Sequence, residues 1–425
     1  MARFLRRTPL KELDSAALYT RWKWRVLLLF CSFYMFLYLG RFNFGFVIPQ
    51  VIADLGMTRT QAGFVALCMF WGFGLGDLVH GRLSDRFSPR LWVALGGGLT
   101  TLFNWITSFG TSMVTLMLPW GINGFVNAMC YSPGIRLIAQ WWPRRERGRA
   151  LGIMGIFVGC AMLVLWLVTG WVAGAFGWRA AFRYPVLWIG LMSLIFWLLV
   201  RDKPADVGLP DYIEEDALSS AAEVQSEAQL QGLRPYALLF RNWRFLVACH
   251  VNGLGLLVRY GIVTWAPLYY KEVGGFDVQE MAAATITFPI GMALGAPVGG
   301  IISDRWMQGR RAPMIIISCL ATTIVMVGIA LTSPTNLPAG MILMSLGGFT
   351  LTLAPLAALG VDLAGRRISG TASGVLDAHA YLYAGSQAVV IGWILDATGG
   401  NWVLVFLLLG ASRLLSAAAM GLVKA

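Results

Sequence analysis

Apolar runs of about 20 residues recur along the chain between short polar stretches, and each is long enough to cross roughly 30 Å of hydrocarbon as a helix. Twelve such runs are present, beginning near Arg25, Thr60, Leu91, Thr111, Ala150, Ala181, Phe245, Met281, Ala312, Pro338, Gly370 and Trp402. The pattern predicts an all-α membrane protein of twelve transmembrane helices. Between Arg201 and Arg244 the apolar character collapses into a stretch holding Asp211, Glu214, Glu215, Asp216, Glu223 and Glu227. This divides the chain into an N-terminal six-helix half (1–200), a linker (201–244) and a C-terminal six-helix half (245–425).

Composition agrees with this reading. Hydrophobic residues make up 57% of the 425 residues and charged ones 13%, more apolar surface than a water-soluble core can hide. The net charge of +12 does not point to nucleic acid, because Lys and Arg gather at alternate loops. They crowd the N-terminus and then the even loops, at Arg82, Arg86 and Arg90, Arg144 to Arg149, Arg305 to Arg311, and Arg366 with Arg367. The odd loops hold little beyond Arg59, Arg179, Arg183 and Lys271. Both termini and the linker are therefore expected in the cytoplasm, and the absence of an Asn-x-Ser/Thr sequon favours a bacterial inner membrane. The first apolar run is too long for a signal peptide and is expected to stay as a helix. The six cysteines fall in apolar runs without paired spacing and read as small core residues. The histidines, His80, His250 and His379, have no metal-ligand spacing. No cofactor or metal is expected, and a monomer suffices.

The two halves repeat. Gly72, Gly76, Gly81, Ser84, Asp85 and Arg86 recur as Gly291, Gly295, Gly300, Ser303, Asp304 and Arg305 at an offset of 219, and at an offset of 218 Arg41 falls on Arg259. These two arginines lie 16 and 15 residues past Arg25 and Arg244, the last basic residues at their helix entrances. At about 1.5 Å per residue they are roughly 23 Å into the bilayer if both segments are unbroken helices. A charge there costs about 2.5–3.5 kcal/mol on insertion scales, so it faces a water-filled path, a ligand or a counter-charge. Repeated six-helix halves with a midplane site between them make the architecture of alternating-access transport. Helices 1 and 7 are expected to face each other across a central anion site, with Tyr34, Tyr38 and Arg41 on one helix face. Gly291, Gly295 and Gly299 on helix 8, and Gly148, Gly152, Gly155 and Gly159 on helix 5, read as small-residue packing faces.

The loop Gly81-Arg-Leu-Ser-Asp85-Arg86-Phe-Ser-Pro-Arg90, echoed at Gly300-Ile-Ile-Ser-Asp304-Arg305, resembles the signature between helices 2 and 3 of the major facilitator superfamily. An Asp and several Arg near helix ends suit charge-assisted bonds that form in one conformation and break in another, a gating role. Within that superfamily the chain resembles the organophosphate:phosphate antiporter family over nearly its whole length. Four stretches carry this: Tyr38-Leu-Gly-Arg41-Phe-Asn43-Phe, Trp141-Trp142-Pro-Arg-Arg-Glu146-Arg147-Gly148, Arg201-Asp202-Lys-Pro204 through Gly208-Leu209-Pro210, and Arg259-Tyr260-Gly261-Ile262-Val-Thr-Trp265-Ala-Pro267. The resemblance implies that Arg41 and Arg259 bind a phosphate moiety. Guanidinium suits this independently, since its planar donors meet tetrahedral oxyanions bidentately. Tyr131 on helix 4 and Tyr381 on helix 11 are family-like aromatics that join Tyr34 and Tyr38 as candidate hydroxyl donors.

The departures from the family matter as well. Where glycerol-3-phosphate-transporting members have a lysine on helix 2 this chain has Asp77, and where they have a cavity histidine on helix 5 it has Val158. Phe73, Leu256 and Thr350 replace family tyrosines, and helix 11 adds Asp377, one turn from Tyr381. An uncompensated membrane carboxylate pairs with a cation or takes up a proton. Asp77 and Asp377 are accordingly open to three readings: proton coupling, recognition of a substrate amine, or a structural place, paired with an arginine or at a wet helix end. Arg413, well inside helix 12, fits no pattern in the sequence. The sequence therefore predicts a secondary transporter of a small organic anion, phosphorylated or phosphonate-like, exchanging with phosphate or coupled to protons. A proton-coupled carboxylate symporter and a transporter-like sugar-phosphate sensor are the alternatives. No nucleophile–base pair or nucleotide-binding loop suggests an enzyme or an ATP-driven pump.

Overall fold

A computed structural model describes residues 10–83, 87–210, 234–307, 310–364 and 368–423. Among these residues the chain is helical without strands. Twelve spans follow one another in chain order. α1 runs Leu10–Leu37 and resumes at Asn43–Leu55; α2 is Arg59–Leu83, α3 Pro89–Thr107, and α4 Met113–Asn127 continued as Tyr131–Trp141. α5 is Arg144–Phe176 and α6 Trp178–Arg183 with Pro185–Leu199. After a short helix, Arg234–Arg241, come α7 (Trp243–Glu272), α8 (Val278–Ile301), α9 (Arg311–Leu331), α10 (Leu337–Thr352 and Leu356–Ala364), α11 (Ser369–Ala397) and α12 (Trp402–Gly421). Eleven of the twelve expected spans begin within six residues of one of these; the first, expected near Arg25, begins fifteen residues earlier, at Leu10. Among the described residues, nine helical stretches are long and apolar enough to cross a membrane on those grounds alone. The acidic residues read as the linker, Asp211 to Glu227, lie outside the described residues.

The repeat is visible in packing. Gly72 and Gly76 on α2 lie against the carbonyls of Gly121 and Phe125 on α4, and Gly291 and Gly295 on α8 lie against those of Ser345 and Phe349 on α10. A side chain at any of these four positions would collide with backbone, which cannot swing aside. The expectation for α5 is overturned: among the described residues a Cβ on Gly148, Gly152 or Gly155 would meet nothing within 4 Å, and one on Gly159 would meet only Ala293 Cβ, at 3.5 Å. These glycines keep that face of α5 low instead of docking it. Cys160 on the same helix is exposed, against the core reading, whereas Cys31, Cys130, Cys249 and Cys319 are buried.

α1 is not one unbroken helix. Tyr38–Gly40 forms a 3-10 turn, and the α-helix restarts at Asn43. The carbonyl of Gly40, released from the helical ladder, accepts from Asn104 Nδ2 at 3.0 Å and Asn123 Nδ2 at 2.8 Å. Asn43 donates to Asn104 Oδ1 and to the carbonyl of Ala181, both at 3.2 Å. Asn43, Asn104 and Asn123 are fully buried. Three helices thus satisfy a break that hydrocarbon would not tolerate. A Cβ on Gly40 would press on Ile189, Thr100 and Asn104.

Two of the family-like stretches serve as clasps at the face bearing the chain termini. Trp141 Nε1 donates to the carbonyl of Arg201 at 2.9 Å, and Trp142 Nε1 donates to that of Lys23 at 3.2 Å. Asp202 accepts from Ser88 Oγ at 2.5 Å and from the Arg90 backbone at 2.8 Å, capping α3.

Gly291→Val should lower the thermal midpoint of detergent-solubilised protein markedly, by a loss of about 1–3 kcal/mol or more, because it overpacks α8 on α10. Gly152→Val, with open space before it, should leave the midpoint close to wild type in the same fluorescence melt.

Candidate functional site

Eight residues singled out from sequence line one cavity of about 450 Å³: Tyr34, Tyr38 and Arg41 from α1, Asp77 from α2, Tyr131 from α4, Arg259 from α7, and Asp377 with Tyr381 from α11. The cavity lies between the halves. Arg41 sits at its buried end, 5% exposed, whereas Tyr131 is 41% exposed and Asp377 is exposed, so the cavity opens toward the face bearing the chain termini.

The break in α1 places Arg41 just beyond the 3-10 turn, where its backbone N–H bonds to Tyr38 at 3.1 Å. Its guanidinium lies over the Phe73 ring at 3.5 Å and beside Phe42 at 4.9 Å. Nη2 donates to the Tyr381 hydroxyl across the interface between halves. Nε has no partner among the described residues, and neither does Nε of Arg259. Cation–π contacts of this kind stabilise a desolvated guanidinium by about 2 kcal/mol while leaving in-plane donors free. Arg259 sits in an unbroken α7 and lies over Tyr260 at 5.4 Å.

Tyr260 was missed in the sequence, although the repeat could have found it: it follows Arg259 as Phe42 follows Arg41. The two rings stack on each other, 5.5 Å apart at 20°. Tyr34 packs on Tyr38 at 5.8 Å and on Tyr131 at 5.7 Å. Ile135, Leu151, Met154, Val158 and Leu256 supply an apolar wall. Among the described residues neither Asp77 nor Asp377 forms an ion pair, and Asp77 Oδ1 is buried without a hydrogen-bond partner. Thr350, by contrast, belongs to a buried contact with Ser318 and Thr322 outside the cavity.

The opposite face is latched. Arg59, at the start of α2, pairs with Glu272 of α7 at 2.8 Å and Asp396 of α11 at 3.5 Å. Asp396 also accepts from the Thr60 backbone at 2.8 Å and the Thr60 hydroxyl at 2.6 Å, so a carboxylate of one half caps a helix of the other. Gly45 brings α1 close to Val263 and Thr264 of α7 on this side. The residues proposed from sequence for gating are only partly placed. Asp85 and Arg86 lie outside the described residues, as do the side chain of Asp304 and the surroundings of Gly81. Arg90 lies by Trp197, and Arg305 is exposed in a short π-helical turn, Ile302–Trp306. In that region Arg311 reaches Ser303 at 3.1 Å and Asp362 at 3.6 Å.

Residues 28–387 match the Major Facilitator Superfamily. A Glycerol-3-phosphate transporter from Bacillus subtilis (strain 168) is 30% identical over 398 residues, covering 89% of this chain and 87% of the relative. The chain belongs to the major facilitator superfamily, in its organophosphate:phosphate antiporter group. A Probable hexose phosphate transport protein from Chlamydia pneumoniae is 26% identical, covering 92% of this chain and 89% of that protein. The Membrane sensor protein UhpC of Escherichia coli (strain K12) is 28% identical, covering 95% and 93%. In fold, this major facilitator chain is similar to a bacterial homologue of the human lysosomal transporter Spinster, solved in an inward-facing, unoccupied conformation. That match has a TM-score of 0.76 at 17% identity and covers 94% of this chain and 95% of the other.

Asp396→Ala removes both the ion pair and the helix cap of the latch, a loss of about 1–2 kcal/mol for partly exposed groups, or a five- to thirty-fold shift in population. With Gly155→Cys in a Cys160→Ala background, labelling from the terminus face by a membrane-impermeant maleimide should slow correspondingly, because the state open on that face becomes less populated.

Proposed function

We propose that this protein is a secondary transporter of a small phosphorylated or phosphonate-like organic anion, working by alternating access around Arg41 and Arg259. The observation that carries the reading is the meeting of one guanidinium from each half in a single cavity, each with an unpartnered buried donor. A ligand held by both halves lets them rock about it. Tyr34, Tyr38, Tyr131 and Tyr381 supply hydroxyl groups along the wall; Tyr381, already bonded to Arg41, orients it. In this reading the terminus face is the cytoplasmic face of a bacterial inner membrane, and the cavity opens to the cytoplasm. The chain works as a monomer, with phosphate exchange or a proton gradient as the driving force. Gly81, Asp85, Arg86, Arg90, Asp304 and Arg305 gate the terminus face.

The likeness to UhpC supports a second reading, in which the same site binds a sugar phosphate and signals without transport. Binding of phosphate esters with no counterflow in proteoliposomes would establish that reading over the first.

Arg41→Lys and Arg259→Lys keep the charge but lose the planar fork, so each should weaken binding of phosphate esters about 10- to 100-fold, in keeping with about 1.5–3 kcal/mol per charge-assisted bond. Affinity in both variants equal to wild type, read by isothermal calorimetry, would sink the oxyanion role. Uptake driven by an imposed phosphate gradient and indifferent to pH identifies exchange; uptake driven by a proton gradient alone identifies symport.

A further inference from the structure

The cavity is charged at two levels. Phe73, which carries the Arg41 guanidinium on its face, and Asp77 are four residues apart on α2. Tyr381, which accepts from Arg41, and Asp377 are four residues apart on α11. α2 runs toward the terminus face and α11 away from it, so both carboxylates lie one helical turn, about 6 Å, nearer the opening than the groups that hold Arg41. Each half therefore contributes one guanidinium at the depth of the cavity and one carboxylate nearer its mouth. Asp77 interacts electrostatically with both Arg41 and Asp377.

This arrangement disfavours a simple anion. Two carboxylates above two guanidiniums cancel the formal charge of the cavity, and an anionic tail near the mouth would meet like charge in a low-dielectric setting. Structural pairing does not account for the acids, because neither forms an ion pair among the described residues. One carboxylate would suffice for a proton carrier, whereas a carboxylate from each half mirrors the pair of arginines. The deep end is a built site in its own right: Arg41 is 95% buried with Nε unpartnered.

Resting on the phosphoryl reading above, we propose that the substrate is a zwitterion, with a phosphate or phosphonate group on Arg41 and Arg259 and a primary ammonium, one short alkyl spacer away, between Asp77 and Asp377. The ammonium supplies the direct ion-pair partner that both acids lack among the described residues, and Tyr131 lines the same mouth. The apolar wall of Leu151, Met154, Val158 and Leu256 faces the spacer. Specificity for the amine then comes from two charge-assisted contacts and from repulsion of substrates that carry none.

Paired ligands test this on the full-length protein in detergent and in proteoliposomes: phosphoethanolamine against ethyl phosphate, and aminoethylphosphonate against ethylphosphonate. Wild type should bind the amino member of each pair at least tenfold more tightly. Asp77→Asn and Asp377→Asn should each erase most of that preference while holding or improving affinity for the des-amino member, and Asp→Glu at either position should restore part of it. Arg41→Lys should weaken both members alike, which separates the two ends of the site. Because des-amino binding reports that the Asn variants are folded, a loss of amine preference cannot be mistaken for unfolding. Equal affinity for both members in wild type overturns the zwitterion proposal and leaves the phosphoryl reading standing. Equal affinity together with proton-driven uptake abolished by Asp77→Asn assigns the carboxylates to proton transfer instead. Failure of all four ligands to bind overturns the phosphoryl reading and this proposal with it.

Discussion

The cost of holding a guanidinium in the middle of a hydrocarbon slab organises this molecule. Arg41 is almost wholly buried, and its neighbourhood is arranged so that the charge is tolerated without being neutralised. Phe73 and Phe42 offer ring faces and Tyr381 offers an oxygen, so the cation is stabilised while part of its hydrogen-bonding edge faces the cavity. A carboxylate in direct contact would have neutralised it more fully and taken up its remaining donors.

The same demand accounts for the break in α1. A straight helix would carry Arg41 on the continuation of the Tyr34–Tyr38 face; the 3-10 turn re-aims it and frees the carbonyl of Gly40. That carbonyl would be expensive in lipid, and Asn104 and Asn123 take it up from α3 and α4. No equivalent break occurs at Arg259, where α7 stays continuous. The two halves are therefore alike in fold and in glycine-mediated packing, yet unlike at the residue pair that the repeat makes most conspicuous. The N-terminal half carries its arginine just beyond a break held by a buried asparagine network, and the C-terminal half carries its own on a plain helix.

Between the halves the interactions are of two kinds. On the face away from the termini, Arg59, Glu272 and Asp396 form a latch of partly exposed charges and a borrowed helix cap. Each such contact contributes little in water, which suits a closure that must reopen. At the centre, Phe42 stacks on Tyr260 and Arg41 bonds to Tyr381, so the site itself bridges the halves.

Most of the fold was legible because bilayer thickness imposes a length on each apolar run and basic residues mark alternate loops. The central site was legible because a charge in such a run is rare enough to stand out, and the repeat at Arg41 and Arg259 doubled the signal. Sequence pattern misjudged the glycines of α5, since glycines three and four residues apart say that a face is small without saying whether another helix comes to it. It missed the latch at Asp396 and the asparagine cluster, because each acquires meaning only from a neighbour more than sixty residues away in the chain or across the interface of the halves, whereas Tyr260 stood in the repeat, one residue after Arg259, as Phe42 stands after Arg41. The sequence by itself determined the helices, their repeat and the charges that enter the membrane, all of which follow from local composition against a solvent of fixed thickness. Tertiary structure alone decided that Asp77 and Asp377 join the two arginines in one cavity, a helical turn nearer its mouth, because distances between helices are set by packing and leave no trace in any single run.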